Sequence, residues 1–284
     1  MAAILPVADE DRAEALSRQG KSKILRGEIS VKAKKSLGQN FLFDPLLLSR
    51  IIDAAGITRE DTVVEIGPGP GKMTELLAQR AKSVLAIELD TELYERLKTE
   101  LSGYFNLEII NMDVLQYPFA QQEPFKVVAN IPYYITTPII FHLLESRSKL
   151  RSMTLTIQKE VAERIVALPG GKDYGVLSLS VQYYADPAIQ FIIPKEAFRP
   201  VPKVDSAVIR MDIREKPPVQ VNDEQMLFRI IRAAFSQRRK TLSNALKPLI
   251  PDCREYLIRA DIDPVRRAET VSIQDFARLA DLIS

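Results

Sequence analysis

Four consecutive residues, Asn130-Ile131-Pro132-Tyr133, with a second aromatic, Tyr134, behind them, combine the groups that a reaction on a base amine requires. An exocyclic adenine nitrogen is a weak nucleophile because its lone pair is delocalised into the ring, and no side-chain base could usefully strip it first. It has to be held instead. The Asn130 side chain and the Ile131 main chain offer two carbonyl acceptors for the two N–H groups, tipping nitrogen toward tetrahedral geometry and aiming its lone pair at an electrophile. Pro132 fixes the turn that presents both. Tyr133 supplies a flat face for stacking, a contact of about 1–3 kcal/mol per base in single-strand binding. A plain turn is the competing reading of such a string, and its position has to decide.

Upstream stands Glu65-Ile66-Gly67-Pro68-Gly69-Pro70-Gly71. Glycines here let the backbone swing from strand to helix and let a ligand approach where a Cβ would block it. A phosphate-binding loop would need Gly at position 66 and Ser or Thr at 73, where Ile66 and Met73 stand. A dinucleotide turn would want Gly or Ala at position 72, which is Lys72, so that reading is weakened but survives. The third is the nucleoside-binding turn of S-adenosylmethionine enzymes, in which an acid precedes the glycines, and Glu65 fits it. Glu88, 21 residues after Gly67, can accept both hydrogen bonds of a ribose diol. Asp113 can take one from an adenine amine. Each acid alone would pass for a solvated strand end; two of them after successive strands, both downstream of the turn, favour a nucleoside pocket. A sulfonium donor is positive and becomes neutral on transfer, so a surplus of carboxylates and acceptors suits it.

The elements that must position these residues are legible in the alternation of short β-branched runs with longer amphipathic stretches, which predicts an α/β fold with a mostly parallel sheet. Strands are expected at Thr62 to Ile66, Val84 to Glu88, Leu107 to Asn111, Lys126 to Ala129 and Met153 to Ile157. Helices are expected at Met73 to Ala81, Glu92 to Leu101 and Pro138 to Ser146, the last capped by Thr137. An earlier helix starts at Asp44-Pro45, runs to Ala55 and stops at Gly56. Ile189 to Ile193 and Ser206 to Ile213, joined by a Pro-containing stretch, should end the sheet as an antiparallel pair. Arg214 to Val221 reads as a linker, and Glu224 to Leu282 has helical spacing broken at Pro248, Pro251 and Pro264. The expected organisation is a basic tail over 1–35, a catalytic domain over 36–214 and a small helical domain over 215–284.

The 284 residues are 46% hydrophobic and 27% charged, which excludes a disordered chain. No apolar run nears the roughly 18–20 residues that span a bilayer. The first residues have no basic segment leading an apolar one, so a secretory signal is not expected and the cytoplasm is. One cysteine, Cys253, and one histidine, His142, rule out a disulfide framework and a zinc cluster, so no metal is expected. The net charge of +2 by itself points to no polyanion, but its distribution does. Lys21, Lys23, Arg26, Lys32, Lys34 and Lys35 face one acid, Glu28; Arg229, Arg232, Arg238, Arg239, Lys240 and Lys247 face none between Met226 and Ile250. Solvated faces would explain either run alone. Arg238, Arg239 and Lys240 are assigned to RNA, because a phosphate track needs bases without interrupting acids.

Taken together, these residues resemble the KsgA-type ribosomal RNA adenine dimethyltransferases. The likeness covers nearly the whole chain from Lys34 onward. It rests on Gly38-Gln39-Asn40-Phe41-Leu42, the turn Glu65 to Gly71, Ile87-Glu88-Leu89-Asp90, Asp113, Asn130 to Tyr133, the stretch Phe198 to Ser206, and Phe235 to Leu242. The resemblance implies a class I S-adenosylmethionine-dependent methyltransferase fold, Rossmann-like, with a C-terminal helical domain. It implies a donor bound by Asn40, Leu42, Gly67, Glu88, Asp113 and Asn130, and a target adenine clamped between Tyr133 and Phe198. It further implies two methylations on each of two adjacent adenosines in a hairpin loop near the 3′ end of small-subunit rRNA, within a pre-ribosomal subunit. A monomer is expected. Physically, Pro200 and Pro202 would limit the backbone freedom of a stacking Phe198, and a core phenylalanine is the plainer reading.

Three rivals are kept. The macrolide-resistance type, acting on large-subunit rRNA, shares the turn, the tetrad and the Pro-rich loop. A ribosome-assembly factor with dispensable catalysis would need only the binding surface. A nicotinamide dehydrogenase is disfavoured by Lys72 and by the lack of a proton-transfer residue near the tetrad. Among the remaining residues, His142 reads as packing, Cys253 as inert, Glu160 and Arg164 as a helix-surface ion pair, and Tyr183-Tyr184 as a strand-edge core pair.

Overall fold

The computed structural model describes residues 33–34, 37–237 and 239–283. The tail expected to carry Lys21, Lys23, Arg26, Lys32 and Lys35, together with Arg238, lies outside the described residues.

Short-range signals set the first helix, α1 (Pro45–Ala55). Asp44 accepts the N–H groups of Leu46 and Leu47, Pro45 supplies a helical φ where no N–H is needed, and Gly56 ends the helix at φ 59°. The apolar stripe Leu48, Ile51, Ile52 and Ala55 is buried beneath it. Strands β2 (Thr62–Ile66), β3 (Ser83–Glu88), β4 (Leu107–Asn111), β5 (Phe125–Asn130) and β6 (Leu150–Gln158) are parallel. They alternate with α2 (Lys72–Arg80), α3 (Thr91–Glu100) and α4 (Thr136–Glu145). Side chains change face with period two. Val64, Ile66, Leu85, Ile87, Val127 and Ala129 join one core with Ile139 and Ile140 of α4. Val63, Val84 and Val128 join the other with Ile51 and Leu77 of α1 and α2.

The sheet closes as the sequence leads one to expect, with β7 (Ala185–Ile193) and β9 (Ser206–Ile213) antiparallel, in the order β4-β3-β2-β5-β6-β9-β7. A separate ribbon pairs β1 (Phe41–Leu42) with β8 (Phe198–Arg199), Phe41 opposite Arg199 and Leu42 opposite Phe198. Between β6 and β7 run α5 (Lys159–Val166) and α6 (Val176–Tyr184). The helical segment consists of α7 (Glu224–Phe235), α8 (Leu242–Leu246), α9 (Cys253–Arg259) and α10 (Ile273–Ile283). Leu227, Ile230, Ile231, Leu257, Phe276 and Leu279 of this segment share a core with Leu179 and Tyr183 of α6.

Two expectations are corrected. Helix α4 begins at Thr136 and not at Pro138, and Thr137 caps nothing: the short helical turn Tyr133–Ile135 already bends the chain into the helix, and Ile135 N–H is taken by the Pro132 carbonyl at 3.2 Å. Pro138 is tolerated there because a first-turn residue needs no N–H partner. Tyr183 and Tyr184 end a helix and do not edge a strand. Their rings lie edge to face and contact Phe228 of α7, so the interface with the helical segment decides their conformation. Among the described residues no helix is long and apolar enough to cross a membrane.

Candidate active site

A cleft opens at the carboxyl edge of the sheet, where β2, β3 and β5 end in Ile66, Glu88 and Asn130. The strand order reverses here, β2-β3 running one way and β5-β6 the other, and an open α/β sheet leaves a crevice at such a point. The cleft encloses about 1100 Å³ including solvent at its mouth. Asn40, Leu42, Gly67, Glu88, Asp113, Asn130, Ile131 and Tyr133 all line it.

Each polar group is aimed by backbone. Gly67 turns the chain out of β2 at φ 67°, and a Cβ there would meet no protein atom within 4 Å, so bare backbone faces the cleft. At Gly69, φ 57°, a Cβ would come within 3.0 Å of the Phe41 ring, and only glycine lets that ring lie on the turn. Glu88 accepts the Gly69 N–H through Oε2 at 3.1 Å and the Asp90 N–H through Oε1 at 2.8 Å. Burial raises its carboxyl above the usual range and these N–H groups act the other way. Each oxygen keeps a second lone pair, which is what a ribose diol would use. Asp113 accepts the Leu115 N–H through Oδ1 at 3.0 Å, fixing it at the start of a short helical turn.

On the opposite wall, the Asn130 Nδ2 donates to the Asn40 carbonyl at 2.9 Å, which leaves the amide oxygen as its acceptor for a ligand. The Ile131 N–H donates to the Thr156 carbonyl at 3.2 Å, pinning the tetrad to β6. The Tyr133 hydroxyl is hydrogen-bonded to Ser206 Oγ at 2.6 Å, which sets the ring angle from β9. Burial raises the Tyr133 phenol and the Ser206 bond opposes it.

A cationic donor fits this donor set. Glu65 is completely buried and lines the cleft; the Thr74 hydroxyl is close enough to act on it, but neither carboxylate oxygen has a hydrogen bond of good geometry. Burial pushes it up to about 8; the Thr74 hydroxyl acts the other way and the neighbouring Glu88 charge adds to the rise. Such an orphaned acid is costly unless something in the cleft supplies positive charge or hydrogen-bond donors. Glu88 and Asp113, joined by Glu65 once it ionises, stand against one lining cation, Lys72. Among the described residues no group of three or more His, Cys, Asp or Glu could hold a metal.

Phe198 is placed elsewhere. Its ring has no exposed surface and packs with Leu42, Leu48, Ile51 and Val208 in the core beneath α1. The expected second stacking wall is therefore corrected to a core residue: pairing of β8 with β1 turns the side chain inward, and the Pro-rich stretch instead exposes Val201 and Val204. Arg239 and Lys240 are exposed beyond the end of α7, away from the cleft lining. Ser206, Leu89 and Met112 escaped sequence reasoning. The last two line the cleft beside Glu88 and Asp113, and their signal was adjacency to an acid at a strand end. His142 donates its Nε2–H to the Tyr117 carbonyl at 3.0 Å and packs on Phe119, a structural role. Arg164 pairs with Glu160 on the surface of α5. Cys253 is buried, its thiol 3.1 Å from the Ser243 carbonyl.

Residues 30–284 match the family described as Ribosomal RNA adenine dimethylase. The "Ribosomal RNA small subunit methyltransferase A" of Geobacillus thermodenitrificans is 45% identical over 283 residues, covering 94% of this chain and 97% of that one. Its namesake from Bacillus pumilus is 47% identical over 265 residues, covering 88% and 91%. Among solved structures, a dimethyladenosine transferase from Plasmodium falciparum superposes with a TM-score of 0.75 at 28% identity, covering 84% of this chain and 95% of that one. The 23S rRNA methyltransferase ErmE gives 0.68 at 29%, covering 84% and 98%. Matched from residue 30 to residue 284 and by relatives at 45% and 47% identity along most of their length, this chain belongs to the ribosomal RNA adenine dimethylase family.

Proposed function

We propose that this enzyme methylates N6 of two adjacent adenosines, twice each, in a hairpin loop near the 3′ end of small-subunit rRNA. Its substrate is a pre-ribosomal subunit, and it works as a cytoplasmic monomer with a part in assembling that subunit. The observation that carries the reading is the fixed Asn130 amide. Its nitrogen is committed to Asn40, so its oxygen and the Ile131 carbonyl remain to hold the two N–H groups of an adenine seated on Tyr133. S-adenosylmethionine, the methyl donor, supplies an electrophilic carbon on a positively charged sulfur. Asn40, Leu42, Gly67, Glu88, Asp113 and Asn130 are the residues we assign to hold it: Glu88 takes the ribose hydroxyls, Asp113 the adenine amine, and Gly67 the close backbone approach. No side-chain base is needed before transfer: the acceptors localise the lone pair, the N–C bond forms as the C–S bond breaks to leave a neutral thioether, and the methylated nitrogen then releases its proton to solvent.

In this reading, residues 36–214 carry the reaction and 215–284 form the RNA-binding domain, with Arg238, Arg239 and Lys240 on phosphates and 1–35 as a basic arm. The small-subunit substrate is favoured by the names of relatives at 45% and 47% identity. The test is incubation of the enzyme with labelled donor and either small subunits lacking the modification or large subunits. Labelled nucleosides are then mapped by mass spectrometry. Dimethyladenosine at two neighbouring positions of the small-subunit rRNA is expected. Label confined to the large subunit would replace this reading with the macrolide-resistance type, and binding to small subunits without label would leave an assembly factor.

A further inference from the structure

Contacts outside the cleft tie down the segment that covers it. The Asp90 side chain is only 2% exposed, and Lys34 Nζ reaches its Oδ1 at 2.6 Å. Gln39 Nε2 donates to its Oδ2 at 3.2 Å, and the Glu92 N–H donates to Oδ1 at 3.1 Å. Gln39 in turn accepts the Lys34 main-chain N–H through Oε1 at 2.8 Å, so the two strap residues are clamped to each other as well as to Asp90. Burial by itself would raise the Asp90 carboxyl; the bonds from Lys34 and Gln39 outweigh it and hold the group below the usual carboxylate range.

Both ends of this cluster lead into the active site. On one side the Asp90 N–H sits on Glu88 Oε1 at 2.8 Å. On the other, the residue after Gln39 is Asn40, whose carbonyl holds Asn130 Nδ2 at 2.9 Å. A continuous line of hydrogen bonds and one peptide link thus runs from the acid assigned to the donor, through Asp90 and Gln39, to the amide assigned to the acceptor. The strap also touches the cleft directly, since Gln39, Asn40, Phe41 and Leu42 all line it.

We infer that Lys34, Gln39 and Asp90 are positioning residues for methyl transfer: they latch residues 39–42 over the donor site and, through the Asn40 carbonyl, set the orientation of the Asn130 amide. The inference rests on the reading of Asn130 as the group that holds the substrate amine. Asp90 also caps α3, so its loss alone would not separate folding from positioning. Lys34 does separate them, because its side chain is 42% exposed and its charge serves no core.

The experiment uses the full-length chain with Lys34→Met, Gln39→Glu, Lys34→Arg, Asp90→Asn and the double variant Lys34→Met/Asp90→Asn. Donor affinity is measured by calorimetry with S-adenosylmethionine, the rate by single-turnover transfer at saturating donor into unmethylated small subunits, and thermal stability alongside. Lys34→Met and Gln39→Glu should slow saturated transfer about tenfold, because a misaligned reacting group costs rate out of proportion to the displacement. Donor affinity should fall less, the melting temperature should hold, and Lys34→Arg should recover the rate. The double variant should be little slower than Asp90→Asn alone, as expected for partners in one cluster, the remaining Lys34 contact being Glu92 Oε2 at 3.5 Å. Wild-type transfer in Lys34→Met, a loss confined to donor affinity, or independent multiplication of the two defects overturns the latch. Asn130→Ala is the control: transfer that survives it removes the reading of the site itself, whereas a dead Asn130→Ala beside an unaffected Lys34→Met removes only the latch.

Discussion

On the donor side of the cleft, the acids Glu65 and Glu88 and the glycine turn sit on or just after the ends of two adjacent parallel strands, and main-chain N–H groups hold Glu88 in place. On the side where the base must enter, Tyr133 is tethered by one hydroxyl contact to Ser206, Phe198 is buried in the core, and Arg239 and Lys240 are exposed on another part of the chain. The acids of the half assigned to the donor are set by strand ends and main-chain N–H groups of the sheet. The half we assign to the nucleic acid offers one anchored ring, with the exposed Arg239 and Lys240 on another part of the chain.

That contrast can be broken at its seam. Asn130→Ala should cut methyl transfer by about 10²–10³-fold or more, the scale of losing an acceptor or donor that acts on the reacting group. Calorimetric donor affinity should fall far less, and equal losses in both would place Asn130 wholly on the donor side. Next in size, Tyr133→Ala should weaken the RNA-bound step by about 1–3 kcal/mol. Tyr133→Phe, which keeps the ring and loses only the tether to Ser206, should stay close to wild type; if both variants behave alike, stacking is not the role of this residue.

Glu65 sharpens the donor side through pH. Its carboxyl is raised to about 8 from an ordinary 4.5, so a cationic donor that favours the ionised form should bind more tightly as pH rises toward 8 and level off above it. Without donor the sign reverses for stability. The native state keeps a proton that the unfolded chain has already released, so stability should fall between about 4.5 and 8. Glu65→Gln should flatten both profiles, read by calorimetry and thermal melts; an unchanged slope assigns the titration to another group. The smallest effect belongs to the RNA surface. Neutralising Arg239 and Lys240 should reduce the salt dependence of RNA binding by about one unit of slope for each phosphate no longer neutralised, with little change in donor affinity.

Much of the donor half was legible because its signals are local. The strand from Thr62 to Ile66 and the strand from Leu107 to Asn111 were expected to the residue, and Asp44-Pro45 and Gly56 bounded the first helix. Features that depend on distant partners were not legible. Phe198 lies in a Pro-rich window that looks like an exposed loop, and only its pairing with Leu42 turns it inward. Tyr183 and Tyr184 have strand-like composition, but a helix from the far end of the chain covers them. Thr137 and Pro138 have the look of a helix start, which the turn after Pro132 pre-empts by opening the helix two residues earlier, at Thr136. The clamp of Lys34 on Asp90 has no local signature at all.

The two-residue ribbon between Phe41–Leu42 and Phe198–Arg199 has a mechanical consequence. It stitches the segment that carries Asn40 and Leu42 to the one that leads into the Pro-rich stretch, so neither can shift without dragging the other. A side-chain substitution cannot uncouple them without unpicking that seam.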